Sequence, residues 1–141
     1  MSHQVQKTFS VCTAHRLMDH PGACKNLHGH NYNITVYFEA GGLNDQGMVI
    51  DFSAIKETVG KMINELYDHK TVLQDTDPLV DVLSPYMFAS LQTMPCAPTA
   101  ENMAKHTFSA IQQQLEHICP TVKVVRVDVE ETQNSIAIYV E

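Results

Sequence analysis

The run His28-Gly29-His30-Asn31-Tyr32-Asn33-Ile34-Thr35-Val36-Tyr37-Phe38-Glu39 decides the fold. His28, His30, Tyr32, Ile34, Val36 and Phe38 alternate with Gly29, Asn31, Asn33, Thr35, Tyr37 and Glu39. A period of two sends successive side chains to opposite faces of a strand. Before it, Val5, Phe9, Val11, Thr13 and His15 form one face of a second such run, broken by Lys7, and Pro21-Gly22 marks the loop between the two. His15 thus has the same facing as the mainly apolar set of its strand.

Downstream, Gly41-Gly42 ends the strand, and a loop through Gly47 leads to Asp51 or Ser53 as a helix cap. Ile55, Val59, Met62, Ile63 and Leu66 recur at helical spacing, which predicts an amphipathic helix from about Ser53 to Leu66. The stretch from Tyr67 to Pro98 holds Pro78, Pro85, Pro95 and Pro98 without sustained periodicity, and reads as loop with a short helix. Thr99 caps a second helix whose stripe is Ala104, Phe108, Ile111, Leu115 and Ile118, stopped by Pro120. Val125, Val127 and Val129 then alternate with polar residues, and a turn at Gln133-Asn134 leads into Ile136, Ile138 and Val140, an antiparallel hairpin.

The order strand, strand, helix, helix, strand, strand describes one α+β domain over residues 1–141: a four-stranded antiparallel sheet with two helices on one face. Tyr37 on the other face suggests association with further copies. The chain has 141 residues, 44% hydrophobic and 18% charged, enough apolar material to fold. Its formal charge of −7 has the wrong sign for gripping nucleic acid. No apolar run approaches the roughly 18 residues a membrane helix needs. The start shows no basic segment followed by an apolar one, so the expected location is the cytoplasm. Cys12, Cys24, Cys96 and Cys119 form no Cys-x-x-Cys pair, and no disulfide framework is expected.

His28 and His30 project from one strand face and His15 matches them on the neighbouring strand, so three imidazoles can converge. Such a set without a fourth protein ligand suits a catalytic zinc, whose open position takes water or substrate. Taken singly, each is also explained as a satisfied core histidine. Cys24, four residues before His28, could be held as thiolate by a nearby cation and act as a base, or be an inert buried cysteine. Asp68-His69 pairs a carboxylate with an imidazole for proton transfer, or simply ends the first helix. Glu131 continues the Val125, Val127, Val129 face and places a carboxylate where an apolar side chain is expected. It either binds a ring with adjacent N–H groups, such as a pterin or guanine edge, or is solvated at the turn. Thr99 and Glu101 are read equally well as helix cap and first-turn acid.

Six pieces then resemble, in order, the 6-pyruvoyl tetrahydropterin synthase family. They are Phe9 to Leu17, Cys24 to Tyr32, Val49-Ile50-Asp51-Phe52, Leu66-Tyr67-Asp68-His69, Pro98 to Asn102 and Glu131-Thr132. Cys24 followed after three residues by His-Gly-His is similar to the carboxy-type branch of bacterial queuosine (7-deazaguanine) biosynthesis. The resemblance implies one zinc per subunit on His15, His28 and His30, Cys24 as proton-abstracting base, Asp68 and His69 as a proton-transfer pair, and Glu131, Thr99 and Glu101 holding the pterin. It implies the tunnelling fold, three subunits closing a barrel and two trimers stacking into a homohexamer with sites between subunits. The implied reaction converts 7,8-dihydroneopterin triphosphate to 6-carboxy-5,6,7,8-tetrahydropterin, acetaldehyde and triphosphate. Rival readings are triphosphate elimination without carbon–carbon cleavage, the pyruvoyl-type reaction, and a non-catalytic zinc-dependent pterin-binding protein. The segment between His69 and Thr99 is longer than in compact bacterial members, and Arg16 or Lys25 is expected to meet the triphosphate.

Overall fold

The computed structural model describes residues 1–141. Its centre is the pair read first from sequence. β1, His3–His15, runs antiparallel to β2, His28–Ala40, in register from His3 opposite Ala40 to His15 opposite His28. β5, Val122–Thr132, adds to the far side of β2, and β6, Ser135–Val140, returns beside it.

The expected four-stranded antiparallel sheet needs correction: the sheet has six strands in the order β4-β3-β1-β2-β5-β6 and is mixed. β3, Lys70–Gln74, pairs parallel with Thr13 to His15 of β1, and β4, Leu91–Met94, pairs parallel with β3. Between them runs a third helix, Leu79–Met87, with Pro85 inside it. The physical reason for the miss is burial on both faces. Thr71, Val72 and Leu73 are consecutive buried residues, so β3 shows a short apolar run instead of alternation.

Both other helices lie where the spacing put them, on one sheet face. The first spans 52–67, made of Phe52–Ile55, a wider π turn Lys56–Gly60, and Lys61–Tyr67. Asp51, not Ser53, is its cap, accepting from the Ser53 N–H at 2.6 Å. Gly60 lets the helix approach β1: a Cβ there would sit 2.8 Å from the Phe9 ring. The second is Ala100–Ile118, capped by Thr99, and buries Met103, Ala104, Phe108, Ile111 and Leu115. These meet Val11, Tyr32, Ile34, Val36, Phe38, Val127 and Val129 from the sheet in one hydrophobic core.

β5 departs from the simple alternation. A register shift opposite Tyr37 and Phe38 makes Val125 an extra residue, so the buried set is Val122, Val124, Val127 and Val129. The opposite sheet face is polar and cross-linked. Thr8 meets Thr35 and Ser10 donates to Asn33, while Tyr37 donates to Asp128 beneath the Arg126 guanidinium. Tyr37 is therefore satisfied within the chain. The apolar groups exposed on the sheet are instead Ile136, Ile138 and Val140 on the edge strand β6.

Candidate functional site

The end of the β1–β2 ladder brings three imidazoles together. Thr13 faces His30 and His15 faces His28 in the register, so all three rings share the helix-covered face. One ligand atom from each of His15, His28 and His30 lies within 4.8 Å of the others. His15 and His28 come closest, Nε2 to Nε2, at 3.1 Å. Gly29 between the two histidines of β2 allows this approach, since a Cβ there would stand 3.1 Å from the Thr13 carbonyl oxygen.

Backbone carbonyls decide which nitrogens face inward. His15 Nδ1 donates to the Pro98 carbonyl at 2.7 Å, and His28 Nδ1 donates to the Asn26 carbonyl at 2.7 Å. Each ring then turns an unprotonated Nε2 toward the cluster, the arrangement that metal-bound histidines use. Two lone pairs facing each other at 3.1 Å repel unless a cation or proton lies between them. His30 Nε2 is buried and has no hydrogen-bond partner. Burial lowers the His15 pKa, against the raising effects of the Pro98 bond and of Glu131, which keeps the ring neutral and able to ligate. Three converging imidazoles, one of them with a buried nitrogen that lacks a hydrogen-bond partner, fit a metal ion.

Glu131 stands beside this cluster. Its carboxylate oxygens lie 3.9 Å from His15 Nε2 and 3.7 Å from His30 Nε2, and the Tyr32 hydroxyl donates to Oε2 at 3.2 Å. The carboxylate is neither fully buried nor merely solvated at the turn; its side chain is 26% exposed. Burial first, then Glu131 and Cys24, push the Tyr32 phenol far above its ordinary range. Glu131 also lines a cavity of about 440 Å³ with Leu17, Thr99, Glu101, Asn134 and Ile136. The structure thus joins Glu131, Thr99 and Glu101 around one space next to the histidines. Thr99 Oγ1 accepts from the Asn102 N–H at 3.2 Å, so its cap role is real and its own proton remains free to donate.

Cys24 sits half-buried in the turn Ala23–Lys25 as a free thiol, and its carbonyl accepts from the Leu17 N–H at 2.9 Å. Asp68 and His69 are not brought to the cluster in this chain. Asp68 Oδ1 accepts from the Cys12 N–H at 3.0 Å and the His69 N–H donates to the Cys12 carbonyl at 2.8 Å, while the Cys12 side chain faces away from the core. His69 takes a left-handed backbone, φ 56°, and its ring is 84% exposed with Nδ1 3.0 Å from Asp68 Oδ2. The Cys12 N–H, followed by its other partners, holds the Asp68 pKa below the usual carboxylate value.

The expectation that Arg16 meets a triphosphate needs correction. Its guanidinium is a bidentate partner of Asp77, with Nε 2.7 Å from Oδ2 and Nη2 2.5 Å from Oδ1. Lys25 remains exposed and unpaired with any carboxylate. Three participants escaped the sequence reading: Tyr32, the Pro98 carbonyl and Asp77. Tyr32 shares the alternation of His28 and His30, so its facing was readable; the other two reach the site from distant positions with no local signal.

A sheet backed by helices, with three histidines at the end of its central pair and a carboxylate-lined cavity beside them, has the make-up of an enzyme site able to hold a metal ion. A profile of the 6-pyruvoyl tetrahydropterin synthase family matches residues 4–141, and the chain belongs to that family. An Aquifex aeolicus protein named 6-carboxy-5,6,7,8-tetrahydropterin synthase is 32% identical, over 100% of this chain and 99% of that protein. One of the same name from Bacillus subtilis is 28% identical over 98% and 85%. Among solved structures, an uncharacterised Wolinella succinogenes protein superposes with a TM-score of 0.86 at 22% identity, covering 100% and 99%. The Plasmodium falciparum 6-pyruvoyl tetrahydropterin synthase gives 0.74 at 21%, covering 99% and 98%. No helix here is long and apolar enough to cross a membrane.

Proposed function

We propose that the chain converts 7,8-dihydroneopterin triphosphate to 6-carboxy-5,6,7,8-tetrahydropterin, releasing acetaldehyde and triphosphate, in 7-deazaguanine (queuosine) synthesis. Atom balance requires that one water be consumed. The relatives named for that activity support the reading, as does the short spacing from Cys24 to His28. The observation that carries it is the adjacency of the three-histidine cluster to Glu131 and its cavity.

His15, His28 and His30 would hold zinc, which supplies Lewis-acid polarisation of the substrate's side-chain hydroxyls. Glu131 accepts the paired N–H groups of the pterin edge, a geometry that favours a carboxylate. Thr99 donates its hydroxyl proton to the ring, and Glu101 borders the same space. Cys24, as thiolate, removes a proton from the substrate side chain. Asp68 orients His69, and His69 returns a proton. Because those two lie apart from the histidines of their own chain, we assign them to the site of a neighbouring copy. The free edge of β6 with its exposed Ile136, Ile138 and Val140 supports association, and the homohexamer of the family is the assembly we propose. The whole chain is taken as one domain acting in the cytoplasm.

The test is incubation of zinc-loaded protein with 7,8-dihydroneopterin triphosphate, with the pterin product identified by mass and acetaldehyde measured in the same tube. The 6-carboxy product with stoichiometric acetaldehyde is expected. A pyruvoyl-type pterin without acetaldehyde would overturn the reaction, and neither product would leave a binding role.

A further inference from the structure

Thr13 carries the one hydroxyl on the helix-covered face of β1, and it is 1% exposed. Its Oγ1 donates to the Tyr67 carbonyl at 2.8 Å. A carbonyl in the last turn of a helix has no partner within the helix, and a buried one must find it elsewhere. Tyr67 ends the first helix; past it Asp68 is extended and His69 takes the left-handed backbone, φ 56°. A histidine stays in that region only where its surroundings hold it. Three bonds do so here, all from two residues of β1. The Cys12 N–H donates to Asp68 Oδ1 at 3.0 Å, the Cys12 carbonyl accepts from the His69 N–H at 2.8 Å, and the Thr13 hydroxyl takes the Tyr67 carbonyl. Cys12 offers backbone groups that any residue but proline would supply. Thr13 offers a side-chain donor, which valine, of the same shape, lacks. The parallel ladder of β3 then begins with Lys70 opposite Thr13 itself, so one residue fixes the chain on both sides of the Asp68-His69 turn.

We infer that Thr13 is a positioning residue that acts through His69. Its hydroxyl sets how the chain leaves the helix, and so aims the His69 ring, 84% exposed with Nδ1 3.0 Å from Asp68, out of its own chain. This rests on the reading above in which His69 returns a proton in the site of a neighbouring copy. The role differs from filling the core, which valine would preserve.

The experiment compares three variants of the zinc-loaded protein with wild type by acetaldehyde release from 7,8-dihydroneopterin triphosphate. T13V removes the donor and keeps the shape, T13A removes both, and T13S keeps the donor. T13V and T13A are each expected to lower kcat about tenfold with KM within about twofold and zinc retained, and T13S to stay within about threefold of wild type. Exchange of the backbone amides from Tyr67 to Lys70, followed by mass spectrometry, is expected to quicken about tenfold in T13V and not in T13S. Unchanged kcat in T13V and T13A would overturn the inference even with faster exchange, because the hydroxyl would then serve the fold alone. T13S as slow as T13V would overturn it as well, and so would loss of zinc in T13V, which would route the effect through His15. If H69Q turns over like wild type, the reading of His69 fails, and the inference falls with it for that separate reason.

Discussion

His15 and His28 approach to 3.1 Å between their Nε2 atoms at the register pair that closes β1 against β2. Each ring is turned inward by a carbonyl on its other nitrogen, so neither is free to rotate away. Alanine at His15, His28 or His30 is expected to lower bound zinc from one per chain to near zero, because two imidazoles alone hold it weakly. Metal analysis after dialysis checks this, and unchanged stoichiometry in His15→Ala would refute the site.

Gly29 keeps the two strands close where the rings meet. An alanine Cβ would press on the Thr13 carbonyl, displacing one strand against the other by a few tenths of an ångström. Gly29→Ala is expected to fold, with a loss of about 1 to 2 kcal/mol, yet to bind zinc about tenfold more weakly. Competition with a chromogenic chelator measures the second effect, and thermal melting the first.

Asp77 is 3% exposed and pairs with Arg16, the residue after His15. Its Oδ1 also accepts from the Leu79 N–H, so the pair ties the start of the third helix to the end of β1. Removing the carboxylate leaves the guanidinium without its partner, and Asp77→Ala is expected to cost about 2 to 4 kcal/mol. Arg16, chiefly, holds the Asp77 pKa below its ordinary value. The stability this gives is present above the ordinary carboxylate pKa and is lost as pH falls through the lower, folded value. The difference in Tm between wild type and Asp77→Asn should be constant above roughly pH 5 and shrink below roughly pH 4.

Cys24 stands in the turn that precedes β2, whereas the His69 N–H is bonded to the Cys12 carbonyl of β1 and its ring to Asp68, and the proposed sharing of one site between copies has a direct test. Cys24→Ala and His69→Ala should each be nearly inactive while retaining zinc. Hetero-oligomers assembled at random from the two should recover about one quarter of wild-type turnover, since half the copies supply each intact group. A site built within one chain would recover nothing.

The central architecture was legible because β2 alternates cleanly through Phe38 and the long helix carries both a cap at Thr99 and a regular stripe. The same alternation aligned His15, His28 and His30 before any fold was known. What was not legible depends on long-range partners. β3 and β4 are short, and β3 is buried on both faces, so no period marks them. Val125 looked like a core residue because the bulge opposite Tyr37 has no local signature. Arg16 looked free because Asp77 is 61 residues away. Tyr37 looked like an exposed apolar group, whereas Asp128 and Arg126 satisfy it from β5.

The most direct test of the account strips metal from the protein and follows acetaldehyde release from 7,8-dihydroneopterin triphosphate while zinc is added back. The expected result is no release from stripped protein, then a linear rise that breaks at one zinc per chain. Full release from stripped protein would contradict the central claim that the three histidines hold the metal on which turnover depends.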